Sequence, residues 1–311
     1  MSNGTPRIVV LTGGSGGAKL VYGLAQILPP EQLTIIVNTG DDFEHLGLTI
    51  CPDLDKVMYT LANASFPGQA LKNESWNMMA AMARCHGPTW CQLGDRDLAT
   101  QLLRSHWLRE GYPLNWVTKE LAQRLGVRYS ILPMSEAPVR TMVQTARKEV
   151  ALTEYLHQKQ PLEATGLQFT GAEQAEPSRE VMSAIREADV IIFGPSNPVI
   201  SFGPLLAIPN LRRILAASRA SKAAVSCYTG QLVADDPVTK IMLAMGIEAS
   251  SLGMAQYLHE VLTHFVLDHH DETWQDQLTD MGLRTLVTGI MMNSAEDYKR
   301  LAREVLAFAE A

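Results

Sequence analysis

The chain has 311 residues, 46% of them hydrophobic, enough to bury a large α/β core without disulfides or structural metals. Its 33 acidic and 26 basic residues leave a formal charge of −7, which offers no broad positive field to a nucleic-acid backbone. No apolar run approaches the roughly 20 residues that span a bilayer, and Met1 to Arg7 lacks the charged and apolar regions of a secretory leader, so the expectation is a cytoplasmic protein that avoids membranes.

Arg7 to Thr12 is a β-branched run ending in glycines, and Ala18 to Leu28 repeats apolar residues at helical spacing up to Pro29. This predicts strand, glycine turn, helix. Leu33 to Val37 is continuously apolar, as a parallel strand covered on both faces should be. Helices are expected over Asp53 to Asn63, Asn73 to Arg84, Asp97 to Glu110 and Leu114 to Leu125. Tyr129 to Pro133 and Val143 to Gln144 read as strands, Glu149 to Gln158 as a short helix, and Gly166 to Thr170 as a strand before the polar stretch Gly171 to Arg179. Val190 to Phe193, Ala223 to Cys227 and Thr285 to Val287 complete the strands. The alternation predicts a doubly wound, mostly parallel α/β sheet with helices on both faces. The simplest division is a single domain over 1–311 with a helix-rich middle and an irregular insertion around 140–180.

Cys51, Cys85, Cys91 and Cys227 form no C-x-x-C pair and are expected as free thiols. His269, His270 and Asp271 are adjacent but lack ligand spacing, so a solvated loop is expected there rather than a metal site.

Four groups of residues could carry chemistry. Gly13, Gly14, Ser15, Gly16 and Gly17, with Lys19 beyond, stand between strand and helix, where missing side chains let backbone N–H groups reach a phosphate at the positive helix end. The spacing fits neither the dinucleotide fingerprint nor the P-loop. Asp41, Asp42, Asp53 and Asp55 follow the second strand, at the sheet edge where ligands collect. Four carboxylates there would repel one another unless protons or a hard cation such as Mg²⁺ compensated, and a metal is expected; the competing reading makes Asp53 a helix cap and Asp41 and Asp42 a turn. Asp97 reads as a helix N-cap, with Asp95 and Arg96 in the glycine turn before it, either as a structural ion pair or as a phosphate contact. Ser196 and Asn197 lie in the rigid turn G-P-S-N-P, with side chains free to read a base or phosphate.

Taken together, L-T-G-G-S-G-G-A-K, V-N-T-G-D-D, I-C-P-D-L-D, L-G-D-R-D-L-A-T and G-P-S-N-P-V, in this order, resemble the 2-phospho-L-lactate transferase family of coenzyme F-420 biosynthesis. The resemblance runs from Val9 to the stretch Gly246 to Ala255. It implies a Rossmann-like fold, a homodimer, and Mg²⁺ as cofactor. The implied reaction moves 2-phospholactate, phosphoenolpyruvate or 3-phosphoglycerate from its guanosine diphospho-conjugate to the ribityl hydroxyl of a deazaflavin alcohol, 7,8-didemethyl-8-hydroxy-5-deazariboflavin, releasing GMP. It also implies roles: Asp41 and Asp55 as catalytic carboxylates, Asp42 and Asp53 beside them at the metal, the glycine loop with Ser196 and Asn197 on the nucleotide, and Asp95 and Arg96 toward the acceptor or transferred group. Trp76, like Phe43 and Trp90, could stack on the flat acceptor ring. Asp55→Asn is expected to abolish transfer with the fold intact. The chain departs from the family at Tyr228 to Lys240, where a proline- and glycine-rich segment is usual.

Two other readings compete. One is a non-catalytic, nucleotide-sugar-binding regulator resembling the gluconeogenesis-factor family, whose members typically follow the second strand with a D-D-G-G-S-S-G-like run; here Asp41-Asp42 continues as Phe43-Glu44-His45-Leu46. The other, an NAD-dependent dehydrogenase, would need a better glycine fingerprint.

Overall fold

The computed structural model describes residues 5–65, 69–158, 162–230 and 236–311. Strand β1 (Ile8–Thr12) leads through the glycines into helix α1 (Gly14–Ala25), and β2 (Leu33–Val37) follows. A hairpin of β3 (Phe43–His45) and β4 (Leu48–Ile50) precedes helices α2 (Pro52–Leu61), α3 (Asn77–Arg84), α4 (Asp95–Arg109) and α5 (Leu114–Arg124). After β5 (Ser130–Pro133) come β6 (Arg140–Thr145), β7 (Glu149–Ala151), α6 (Leu152–His157) and β8 (Ala164–Thr170). The chain continues through α7 (Arg179–Glu187), β9 (Val190–Phe193), α8 (Gly203–Ala207), α9 (Pro209–Ala217) and β10 (Ser221–Val225). It ends with α10 (Pro237–Ala244), α11 (Ser251–Leu258), β11 (His264–Leu267), α12 (Gln275–Asp280), β12 (Arg284–Val287) and α13 (Ala295–Glu310).

Seven strands form one parallel sheet in the order β12-β11-β10-β9-β1-β2-β5. Its central strands are apolar on both faces because both faces are covered. Ile8 and Val10 pack with Leu20, Val57, Leu121 and Val305 of α1, α2, α5 and α13. Val9 and Leu11 face the other way, into a core with Ile185, Leu211 and Leu258 of α7, α9 and α11. Strand order reverses at β1, which pairs with β2 on one side and β9 on the other, so the carboxyl ends of β1 and β9 flank the crevice where a doubly wound sheet binds ligands. The expected α/β class with helices on both faces is thus observed.

Several local expectations shift. The 140–180 stretch is not irregular: β6 pairs antiparallel with both β7 and β8 in a separate three-stranded sheet. The helix expected from Glu149 begins only at Leu152, because Glu149–Ala151 is drawn into that sheet. Helix α4 starts at Asp95 with Gly94 as its N-cap, so Asp97 lies in the first turn instead of capping it. The His269–Asp271 stretch is a 3₁₀ turn whose Asp271 is buried and accepts a bond from Ser251. All four cysteines are free, as expected. Among the described residues no single helix is long and apolar enough to cross a membrane; the apolar pair Pro198–Ala207 and Pro209–Ala217 is bent by 97° and buries Val199, Phe202 and Leu211. In the atypical Tyr228 to Lys240 segment, residues 231–235 lie outside the described residues.

Candidate active site

The glycine turn at the end of β1 is locked against the turn at the end of β9. Ser196 Oγ donates to the Gly13 carbonyl at 2.7 Å and accepts from the Gly13 N–H at 3.3 Å. A methyl group on Gly17 would lie 1.6 Å from Thr12 Oγ1, and one on Gly16 would lie 2.2 Å from the Pro195 carbonyl oxygen. Those two glycines are therefore required by close packing, Gly17 against the Thr12 side chain and Gly16 against the Pro195 backbone. Gly14 is different: it holds φ +64° and its missing side chain faces open space.

Three expected ligand contacts are spent internally. Lys19 turns away from the loop, its Nζ donating to the Met292 carbonyl at 2.8 Å and lying 5.9 Å from the Tyr298 ring centre. Ser196 is buried in the turn–turn contact just described. Asn197 accepts from the N–H groups of Val199 and Ile200, capping a π-helical turn, Pro198–Phe202. Thus Lys19, Ser196 and Asn197 shape the crevice, while Gly14 and Ser15 border it half-buried.

The carboxylates divide into two places rather than one. Asp53, on the first turn of α2, accepts from the Gly14 N–H at 2.9 Å, Asn38 Nδ2 at 3.1 Å and Lys56 Nζ at 3.3 Å. It binds the second strand's turn to the first, a role beyond either cap or simple metal ligand. Asp41 lies next to it with one oxygen buried and unpartnered. Burial, and then the Asp53 charge, hold the Asp41 carboxyl well above the usual carboxylate range. Asp42 is also buried; burial pushes it up to about 7, against the pull of Arg140 and a bond from Cys51.

Asp55 stands apart. Arg104 of α4 grips it with both terminal nitrogens, one at 3.0 Å, and Gln101 Nε2 donates to it at 2.9 Å. Asp55 is 6% exposed and Arg104 1%. Among the described residues no group of three or more His, Cys, Asp and Glu side chains is placed to share a metal ion. At Asp55 the electrostatic demand is met by a buried guanidinium that periodicity had hidden inside an ordinary helix.

Asp55 lines a cavity of about 560 Å³ together with Phe43, Tyr59, Trp76, Trp90, Asp97 and His157. Trp76 and Trp90 are 42% and 39% exposed. Trp90 is held by three rings, Phe43 at 5.6 Å, His45 at 4.9 Å and His157 at 5.2 Å between centroids. Asp95 and Arg96 are not on this wall. Asp95 accepts from Ser75 Oγ, from Asn77 N and Nδ2 and from Met78 N, which caps α3 and holds the carboxyl down at about 2, the Ser75 bond being the largest cause. Glu74 returns the favour, accepting from the N–H groups of Arg96 and Asp97 at the start of α4. The Arg96 guanidinium lies at the surface and donates to the Lys72 carbonyl. The Glu74 cap and the Arg104 anchor are the site-shaping residues that sequence reasoning missed.

Asp53 thus joins the glycine turn to the carboxylates, and Thr153 joins Asp41 to the wall of the aromatic cavity. Residues 8–291 match the protein family described as 2-phospho-L-lactate transferase CofD. The chain belongs to that family. It is therefore an enzyme of the transferase class, with F-420 biosynthesis as the family's setting. It is 38% identical to the phosphoenolpyruvate transferase of Kitasatospora aureofaciens and 36% identical to that of Streptomyces griseus, with 98% of both chains covered in each case. It is 34% identical to the 2-phospho-L-lactate transferase of Methanosarcina acetivorans over 96% of this chain and 98% of the relative. In architecture it is similar to a UPF0052-family protein from Bacillus halodurans, with TM-score 0.63 over 98% of this chain and 100% of the other; at 17% identity this likeness shows the fold alone.

Proposed function

We propose that the enzyme transfers a phosphorylated acid unit from a guanosine diphospho-conjugate to the ribityl hydroxyl of a deazaflavin alcohol. The hydroxyl oxygen bonds to the phosphorus that carries the acid, the bridging P–O bond breaks, GMP leaves with the electron pair, and the hydroxyl proton is released. The observation that carries this reading is the Asp41–Asp53 carboxylate pair, with its orphaned oxygen on Asp41, bonded to the Gly14 turn through Asp53 and to the wall of the aromatic cavity through Lys56 and Thr153.

The pair fits a hard cation. Mg²⁺ takes one or two protein carboxylates and completes its shell with water and substrate phosphates, so a two-carboxylate site suits it. Asp41 and Asp53 would hold it, and when bound it would neutralise charge on the donor's phosphates. The protein's own part is positioning: Asp53 fixes the Gly14 turn, Asn38 fixes Asp53, and Trp76 and Trp90 supply flat surfaces for the acceptor ring. The relatives of higher identity named above are phosphoenolpyruvate transferases, which supports the enolpyruvyl donor over the lactyl one.

Mass spectrometry tests the reading directly, after the protein, Mg²⁺ and the deazaflavin alcohol are mixed in turn with the enolpyruvyl, lactyl and glyceryl conjugates. The expected products are GMP and a deazaflavin carrying the phospho-acid, formed fastest from the enolpyruvyl donor. Absence of any adduct despite nucleotide binding would reject the reading.

A further inference from the structure

A second, smaller cavity of about 240 Å³ lies against the Asp41–Asp42 turn. Its wall includes Arg140 and Thr141 at the start of β6, and it shares Phe43 and Thr153 with the acceptor-side cavity. It therefore adjoins both the carboxylate pair and the space assigned to the acceptor, which is where the transferred unit must sit.

Arg140 is the one cation on this wall among the described residues. Its guanidinium donates to the carbonyl of its neighbour Val139 at 3.0 Å, and its charge is the strongest of those drawing the Asp42 carboxyl down. Three acids share the wall with it: Glu44 accepts from Thr49 across the hairpin at 2.7 Å, while Asp41 and Asp42 each keep one buried, unpartnered oxygen, Asp41 beside the like charge of Asp53 and Asp42 in the field of Arg140. The Thr141 hydroxyl, next in the chain, is buried without a partner. A guanidinium with most of its fork unused is the side chain best matched to a carboxylate, which it binds through two parallel N–H bonds.

The geometry points to Arg140 as the residue that binds the carboxylate of the transferred acid, making this small cavity the subsite that selects donors carrying one. The inference rests on the transferase reading, since it is that donor which brings a carboxylate beside its phosphorus.

The test measures binding as well as turnover. Calorimetry compares a carboxylate-bearing guanosine diphospho-conjugate with the ethyl conjugate that lacks the carboxylate, on the wild type and on Arg140→Gln and Arg140→Lys, each checked for fold by circular dichroism. The wild type is expected to prefer the carboxylated donor by about 10- to 100-fold, the range of a hydrogen bond to a charged group. That ratio should collapse toward one in Arg140→Gln and fall partway in Arg140→Lys, which keeps the charge and loses the fork. A purely structural role would weaken both donors alike and leave the ratio standing, which would overturn the inference, as would equal binding of both donors by the wild type. Normal discrimination in binding with no transfer by the wild type would count against the transferase reading alone.

Discussion

Asp55 and Arg104 form a buried, two-pronged ion pair that ties α2 to α4 and closes the floor of the aromatic-walled cavity. Gln101 and Tyr59 extend it to Asp97, so the floor is a connected polar network inside an otherwise apolar layer. Neutralising Asp55 leaves a buried guanidinium uncompensated. Asp55→Asn should therefore cost about 3–5 kcal/mol of stability, in contrast to the intact fold that a surface carboxylate would allow. Urea unfolding of Asp55→Asn, Arg104→Gln and the double variant checks this: the double variant should lose less than the sum of the two, and additive losses would show that the residues act independently.

Asp41 invites the opposite outcome. Its carboxylate is held in a buried place beside Asp53, so the charge opposes folding. Asp41→Asn should be at least as stable as the wild type by thermal unfolding while transfer falls by about 100-fold or more, the scale of losing a principal electrostatic group at a reaction centre. A further readout is the stabilisation of the protein by guanosine diphosphate plus Mg²⁺, which the variant should lack if Asp41 holds the cation. An equal thermal shift in variant and wild type would remove Asp41 from the metal site.

The Asp95 bonds make an acid-sensitive fastening between α3 and α4. Its carboxyl is held below the ordinary value by those bonds, so its contribution is fully present above the unfolded value near pH 4 and is lost as pH falls through about 2. Amides near Ser75 to Met78 should exchange faster at pH 2.5 than at pH 5, relative to the sheet. In Asp95→Asn they should exchange fast at both, and protected amides in that variant would contradict the role.

Trp90, clamped by Phe43, His45 and His157, has an exposed edge on the cavity and little freedom to lose on binding. Trp90→Ala and Trp76→Ala should raise the acceptor KM by about 10-fold each, a loss on the order of 1–1.5 kcal/mol of stacking, with the donor KM nearly unchanged. Steady-state kinetics with each substrate varied in turn distinguishes this from a general loss of folding, which would lower kcat for both.

Much of the fold is legible in the sequence because parallel strands under helices are simple signals. Ile8–Leu11 and Val190–Phe193 are unbroken apolar runs, Leu33–Val37 is interrupted only by Thr34, and the glycines after the first mark the turn into α1. His264–Leu267 was not legible: it is short, opens with a histidine, and owes its strand to pairing between β10 and β12 rather than to a local pattern. In the small antiparallel sheet the cores of β6 and β8 were legible as strands, Val143–Gln144 and Gly166–Thr170, but β7 and the pairing that joins the three were not, since that pairing is not a local pattern. The site was read in outline, as glycines and carboxylates at strand ends, but the partners were not. Arg104 carries no sign of burial in its own letter; the available hint was the polar face Gln101, Arg104 and Ser105 on a helix otherwise fit to bury leucines. Asp95 and Glu74 show the limit from the other side, because a cap that reaches across to a different helix has no fixed spacing to recognise.

GMP release is the most direct measure of the proposed transfer. Purified enzyme with Mg²⁺ and the enolpyruvyl guanosine diphospho-conjugate should release GMP only when the deazaflavin alcohol is added, in a one-to-one ratio with the new phosphodiester, and Asp41→Asn should release almost none. GMP appearing at the same rate without the acceptor would mean that water, not the ribityl hydroxyl, is the nucleophile, and would contradict the account.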